Sequence, residues 1–254
     1  MEIKWGDKKK NLDTFKQLIS HVEQDTDIVV LPETFSTGFL SPEDLDYIKE
    51  TAETINGETI SLIKEECVRH QFAIAGSFVS TTSEGFFNKA FFAMPDGNVK
   101  FADKRHLFAY GGENKIFVPG TDRLSLNYKG WNIAMIICYD LRFPVWCRNF
   151  HNEYDILLSV ANWPASRIDV WNTLLKARAL ENSSYVCGVN CKGIDDRGSE
   201  YNGESSLFDF KGKDLAIKLN NANLLYASAV KQELDNYRTK FPIWKDADQF
   251  ELKI

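Results

Sequence analysis

The sequence contains no long apolar run. Its purest stretch, Ile133-Ala134-Met135-Ile136-Ile137-Cys138, is far short of the ~18 residues a membrane-spanning helix needs. It also has no excess of positive charge: 30 Lys and Arg stand against 36 Asp and Glu, a formal net charge of −6. Affinity for a phosphate backbone rests on basic surface, so neither nucleic acid nor a membrane is expected as a partner. The opening Met1-Glu2-Ile3-Lys4-Trp5-Gly6-Asp7 lacks the apolar centre of a secretion signal. Cysteines are few and odd in number (Cys67, Cys138, Cys147, Cys187 and Cys191), without zinc-type pairing or the density of a disulfide framework. The expectation is therefore a cytoplasmic protein without a metal. The 15 glycines and 7 prolines are scattered singly, leaving no repeat, no low-complexity linker and no glycine-rich phosphate cradle. One continuous domain over residues 1–254 is expected.

What the sequence does have is an ordinary globular balance, 44% hydrophobic and 26% charged, sufficient to bury a large core. Leu12, Phe15, Leu18, Ile19 and Val22 recur at helical spacing and predict a helix over residues 11–24. Asp27-Ile28-Val29-Val30-Leu31 reads as a strand buried on both faces. Ser41-Pro42-Glu43-Asp44 carries capping and dipole signals for a helix start. A helix over 58–70 and a strand over 72–79 follow. Residues 86–94 and 98–103 flank Pro95-Asp96-Gly97, a hairpin signal. Strands are predicted over 131–137, 155–160, 184–190, 203–210 and 224–230, with helices from about Phe143-Pro144 and over 168–182. This mixture of β-α-β units and antiparallel hairpins favours an α/β layered fold with mixed sheets over a purely parallel one.

Three segments each put a reactive side chain where a strand has just ended. In Leu31-Pro32-Glu33-Thr34-Phe35, Glu33 has apolar neighbours that desolvate it, which suits a general base. Its bland alternative is a solvated, strand-terminating carboxylate. In Phe101-Ala102-Asp103-Lys104-Arg105-His106, Lys104 offers a fixed positive charge for a developing oxyanion, against the alternative of a solvated basic cluster. Glu113, a few residues on, either holds Lys104 or is an ordinary loop carboxylate. In the third segment the strand over 133–137 delivers Cys138, followed by Tyr139-Asp140-Leu141-Arg142-Phe143-Pro144. A thiol between a strand and a helix N-terminus has its pKa lowered by the dipole and free N–H groups, and those groups form an oxyanion site. The other four cysteines read as buried packing residues. Among His21, His70, His106 and His151, only His106 is a rival partner for Cys138, as in thiol proteases.

Together these segments resemble the nitrilase superfamily of carbon–nitrogen hydrolases, whose Glu, Lys and Cys match Glu33, Lys104 and Cys138 in order, 71 and 34 residues apart. Asn11-Leu12, Pro119-Gly120, Ala161-Asn162-Trp163-Pro164, Lys176–Asn182 and Tyr201–Ser206 look like further family landmarks, so the resemblance spans essentially the whole chain. Cys138–Trp146 and Phe241-Pro242-Ile243-Trp244 look like the omega-amidase branch, whose members hydrolyse the side-chain amide of 2-oxoglutaramate or 2-oxosuccinamate. The resemblance implies a four-layer α-β-β-α sandwich with two mixed sheets, a homodimer, and no metal or organic cofactor. It makes Glu113 a supporting carboxylate and the backbone N–H of Tyr139 a donor to the tetrahedral oxyanion that precedes a Cys138 thioester. Such a substrate needs a cationic anchor, for which Arg142 and Arg167 are candidates, and Phe35, Tyr139 and Trp163 are candidate pocket walls. An N-carbamoyl compound, a deaminated glutathione or a nitrile is the alternative substrate. Family members open with an apolar strand ahead of the segment matching Glu2–Asp7. Here that match begins at Met1, so an open strand edge is expected, at a cost in stability.

Overall fold

A computed structural model describes residues 1–218 and 223–251. Its first sheet has the order β1-β2-β3-β4, from Ile28–Val30, Ala73–Thr82, Gly85–Ala93 and Val99–Asp103. β1 runs parallel to β2, and the remaining pairs are antiparallel. The second sheet is built from β5 (Leu124–Tyr128), β6 (Trp131–Ile137), β7 (Ile156–Ala161) and β8 (Tyr185–Asn190). After the hairpin of β9 (Lys192–Ile194) and β10 (Glu200–Asn202), it is completed by β11 (Ser206–Phe208). Its order is β11-β8-β7-β6-β5, with a parallel centre and antiparallel edges. The main helices are α1 (Lys8–Ile19), α2 (Leu45–Thr51), α3 (Glu58–His70), α4 (Ile168–Asn182) and α5 (Lys231–Lys240). β12 (Ile217–Lys218) and β13 (Leu225–Tyr226) form a separate antiparallel pair.

Strand alternation builds the layers. On β2, Ile74 and Phe78 face Leu12 and Phe15 of α1 and Ile60 and Ile63 of α3, whereas Ala73 and Ala75 face the second sheet. On β6, Ile133, Met135 and Ile137 fill the space between the sheets, and Ala134 and Ile136 pack toward Trp171, Leu175 and Ala179 of α4. Both faces of these strands are buried, which is why they read as unbroken apolar runs. The result is the expected sandwich of helices, sheet, sheet and helix. Gly188 permits the last contact, because a Cβ there would lie 2.3 Å from Leu175 Cδ1.

Several boundaries differ from the sequence reading. The helix expected from Phe143-Pro144 does not form. Cys138–Arg142 is a 3₁₀ turn and Phe143 is extended, as suits a residue before proline. The strand expected over 203–210 shortens to β11, because Gly203 and Glu204 adopt φ of 81° and 55°. That over 224–230 shrinks to β13. α5 has no sequence signature because only its Leu234 and Arg238 are buried. α1 starts early, at Lys8, because the Asp7 side chain caps Lys10 N.

β1, expected to be buried on both faces, lies at the edge of its sheet with Ile28, Val29 and Val30 only half-buried. A cleft of about 750 Å³ runs beside it, lined by Phe15, Ile19, Leu158, Cys187 and Leu207 among others. The first residues pair elsewhere, with Ile3 N donating to Lys192 O and Lys192 N to Met1 O. Among the described residues, no helix is long and apolar enough to cross a membrane.

Candidate active site

Four chain segments leaving the two facing sheets converge on one point. Glu33 follows β1, where Thr34 turns the chain at φ 39° and donates its N–H to Ser77 Oγ over 2.8 Å. Lys104 follows β4, its N–H bound to Asn88 O and its carbonyl to Gly120 N. Only glycine fits at 120, since a Cβ would lie 2.3 Å from Asp103 O. Cys138 ends β6 at φ 45°, a left-handed conformation that costs a non-glycine residue on the order of 1 kcal/mol. The turn is closed by Asp140, whose Oδ2 accepts from Ile137 N at 3.0 Å. Asn162 follows β7.

Glu33 is completely buried, and every oxygen of its carboxylate is held. Lys104 Nζ and Asn88 Nδ2 each donate to Oε1 over 2.8 Å, and Asn162 N donates to Oε2 over 2.9 Å. The Asn162 side chain also donates to Glu33 O at 3.1 Å, tying β7 to the end of β1. Lys104 Nζ lies 2.9 Å from Glu113 as well, and Glu113 Oε2 accepts from Phe108 N. The solvated readings of Glu33, Lys104 and Glu113 are thereby excluded: their side chains are 0%, 1% and 1% exposed.

Burial alone would lower the Lys104 pKa, but the carboxylates of Glu113 and Glu33 outweigh it and hold the ammonium well above its ordinary value. Burial, reinforced by the Glu33 charge, raises Glu113 against the pull of Lys104. At Cys138, burial and then the neighbouring Glu33 carboxylate push the thiol well above its ordinary pKa, with Lys104 opposing. The dipole-lowered thiol expected from a following helix is thus reversed, since no α-helix follows. The site holds a half-buried thiol with a raised pKa, the Glu33 carboxylate beside it, and the Lys104 ammonium bonded to that carboxylate. This arrangement can move a proton from sulfur to carboxylate and place a positive charge beside a new oxyanion.

The remaining candidates separate. Tyr139 is half-buried, and its ring meets Phe108 and Phe143 edge-on, each at 5.1 Å. The Arg142 guanidinium lies over the Trp163 ring at 5.1 Å and that of Arg167 over Phe108 at 5.7 Å. Both arginines are exposed and have no ion pair among the described residues. Trp163 is 4% exposed, and its Nε1 donates to Arg167 O, so it serves as the floor under Arg142. Phe35 is a correction: it is fully buried between Phe15 and Phe91 in the core on the helix side of the first sheet, and does not wall the site. His106 is bound to Asp140 and stacked on Phe143. Asn88 and Asn162 went unnoticed as site residues. Asn162 belongs to a quoted landmark, but nothing in the β3 sequence marks Asn88. Among the described residues no cluster of His, Cys, Asp and Glu is arranged to hold a metal.

The carbon-nitrogen hydrolase family profile matches residues 1–239. An omega-amidase YafV of Yersinia enterocolitica is 40% identical over 249 residues, covering 98% of this chain and 94% of its own. A 2-oxoglutaramate amidase of Bacillus subtilis (strain 168) is 29% identical over 248 residues, covering 96% and 94%. Among solved structures, XC1258 from Xanthomonas campestris, a CN-hydrolase superfamily protein with an arsenic adduct in its active site, superposes with a TM-score of 0.92. It is 37% identical, with 99% of this chain and 96% of that one covered.

Proposed function

The chain belongs to the carbon–nitrogen hydrolase family, and from that premise we propose that it is an omega-amidase. On this reading it is a homodimeric, cytoplasmic enzyme that releases ammonia from the side-chain amide of 2-oxoglutaramate or 2-oxosuccinamate through a Cys138 thioester. The observation that carries the chemistry is the contact of Glu33 with Lys104 at 2.8 Å beside the Cys138 thiol. The substrate class rests on the relatives named omega-amidase and 2-oxoglutaramate amidase. It is supported by Arg142 and Arg167, which have no ion pair among the described residues and suit the carboxylate of a small oxo-acid amide. Five free cysteines fit a reducing compartment.

The Sγ proton passes to Glu33 as sulfur bonds to the amide carbon. Lys104 Nζ and the Tyr139 N–H hold the oxyanion. As the tetrahedral species collapses, the C–N bond breaks and Glu33 returns the proton to nitrogen, releasing ammonia and leaving the thioester. Water then adds to the thioester carbon, giving one proton to Glu33. The C–S bond breaks, and the proton goes back to sulfur as the 2-oxo acid departs. Burial and the Glu33 carboxylate hold the thiol pKa up, which favours transfer of its proton to Glu33 as sulfur attacks.

The test is ammonia release from 2-oxoglutaramate, with glutamine and a simple nitrile as controls, by wild type and Cys138→Ala. Release from the oxo-amide alone, abolished in the variant, is expected. Release from the nitrile or glutamine instead would reassign the substrate, and release that survives Cys138→Ala would sink the covalent mechanism.

A further inference from the structure

Two residues beyond Lys104 lies His106, and two beyond Cys138 lies Asp140. Asp140 Oδ1 accepts from both His106 N and His106 Nδ1, each at 2.8 Å. Its other oxygen accepts from Ile137 N, and its backbone carbonyl from Phe143 N and, at 3.4 Å, from Cys147 Sγ. One carboxylate, 2% exposed, therefore binds the segment that carries Lys104 to the turn that carries Cys138. The His106 ring is clamped as well, stacked on Phe143 with centroids 3.7 Å apart and edge-on to Trp146 at 5.9 Å. With a carboxylate as acceptor, Nδ1 carries the proton.

The geometry points to a strut. We propose that the His106–Asp140 pair sets the spacing between Lys104 and Cys138, making His106 a positioning residue for the oxyanion cation and the nucleophile, and not the base of the thiol. Two features of the site make such a strut consequential. The Cys138 turn sits in a left-handed conformation that persists only where its surroundings over-determine it. Lys104 and Cys138 come from different sheets, β4 and β6, so no shared strand pairing fixes their separation. Displacement of a reacting group by about 1 Å costs on the order of a hundredfold in rate. The role in turnover rests on the amidase reading above, whereas the effect on the thiol does not.

The test compares His106→Phe, which keeps the aromatic stack and the backbone N–H bond but loses the Nδ1 donor, with His106→Asn, whose amide restores a donor near the Nδ1 position. Two readouts are taken beside Tm. One is kcat and KM for 2-oxoglutaramate. The other, which needs no substrate, is the rate of Cys138 alkylation by iodoacetamide, followed by intact mass. His106→Phe is expected to keep its Tm within a few degrees, to lose tenfold or more in kcat with KM nearly unchanged, and to be alkylated several-fold more slowly, because Lys104 no longer favours the thiolate. His106→Asn is expected to recover most of both. His106→Phe in a Lys104→Ala background is expected to lose little more than Lys104→Ala alone. Wild-type rates in His106→Phe, no recovery in His106→Asn, or losses that track Tm would each overturn the proposal. If wild type turns over no oxo-amide, the omega-amidase reading falls and the alkylation rates alone decide the strut.

Discussion

The Asn88 side-chain amide donates to Glu33 Oε1 over 2.8 Å, while the Asn88 backbone carbonyl accepts from Lys104 N over 2.9 Å. One residue of β3 thus touches both ends of the Glu33–Lys104 pair. A hydrogen bond to a buried charge contributes about 1.5–3 kcal/mol. Asn88→Leu is therefore expected to lower kcat about tenfold or more, and Asn88→Asp, which sets a second carboxylate against Glu33, to lower it further. Steady-state kinetics on folded variants check this; an unimpaired Asn88→Leu would mean that Lys104 and Asn162 suffice to hold the base.

Lys104 is the cation between two buried carboxylates. Lys104→Met leaves their charges uncompensated, at a cost of about 3–5 kcal/mol, and removes an oxyanion donor with a loss of about a hundredfold or more in kcat. Lys104→Met/Glu113→Gln is expected to recover stability but not turnover. Urea titrations beside ammonia assays separate the two effects.

Burial and then Glu33 raise the Cys138 thiol pKa, and Lys104 lowers it. In wild type, alkylation of Cys138 is expected to stay slow at neutral pH and to climb only above the ordinary thiol range. Glu33→Gln removes the opposing charge and leaves Lys104 in place, so at a fixed pH near 8 its alkylation is expected to speed up several-fold while turnover collapses. A slower alkylation in Glu33→Gln would show that the carboxylate activates the resting thiol.

Burial raises Cys67 and Cys147 from an ordinary 9.0 to about 12. Between those values the unfolded chain has lost these protons and the folded chain has kept them, so stability falls as pH rises. The slope is at most about 1.4 kcal/mol per pH unit for each thiol. The stability is present in full below pH 9 and lost progressively toward 12. Urea midpoints at pH 8 and pH 10.5 measure the fall, and Cys67→Ala, although less stable at pH 8, is expected to show a shallower one.

Much of the layered fold was legible because its central strands are buried on both faces. The runs expected at 131–137 and 155–160 carry their burial in composition alone, and the helices expected over 58–70 and 168–182 form as α3 and α4. The elements that escaped notice are those whose partners lie far along the chain. α5 buries only Leu234 and Arg238, and the latter is held by Asp155, 83 positions away. Pro144 was legible as a helix start but acts here as a stop for the extended Phe143, because the turn at Cys138 is closed by Asp140 and no helix follows.

The candidate site divides in the same way. The sequence by itself determined which residues are candidates for the chemistry: Glu33, Lys104, Glu113 and Cys138 each stand where a strand ends or a loop begins, and side-chain identity at such a position is a local property. Only the tertiary structure decided their charges and their company. Two facing sheets withdraw the Glu33, Lys104 and Glu113 side chains from water and bring Asn88 and Asn162 to the carboxylate from 55 and 129 positions away. The sign of the Cys138 shift depends on that enclosure, because desolvation and a neighbouring charge are sums over everything within a few ångströms, whatever its distance along the chain.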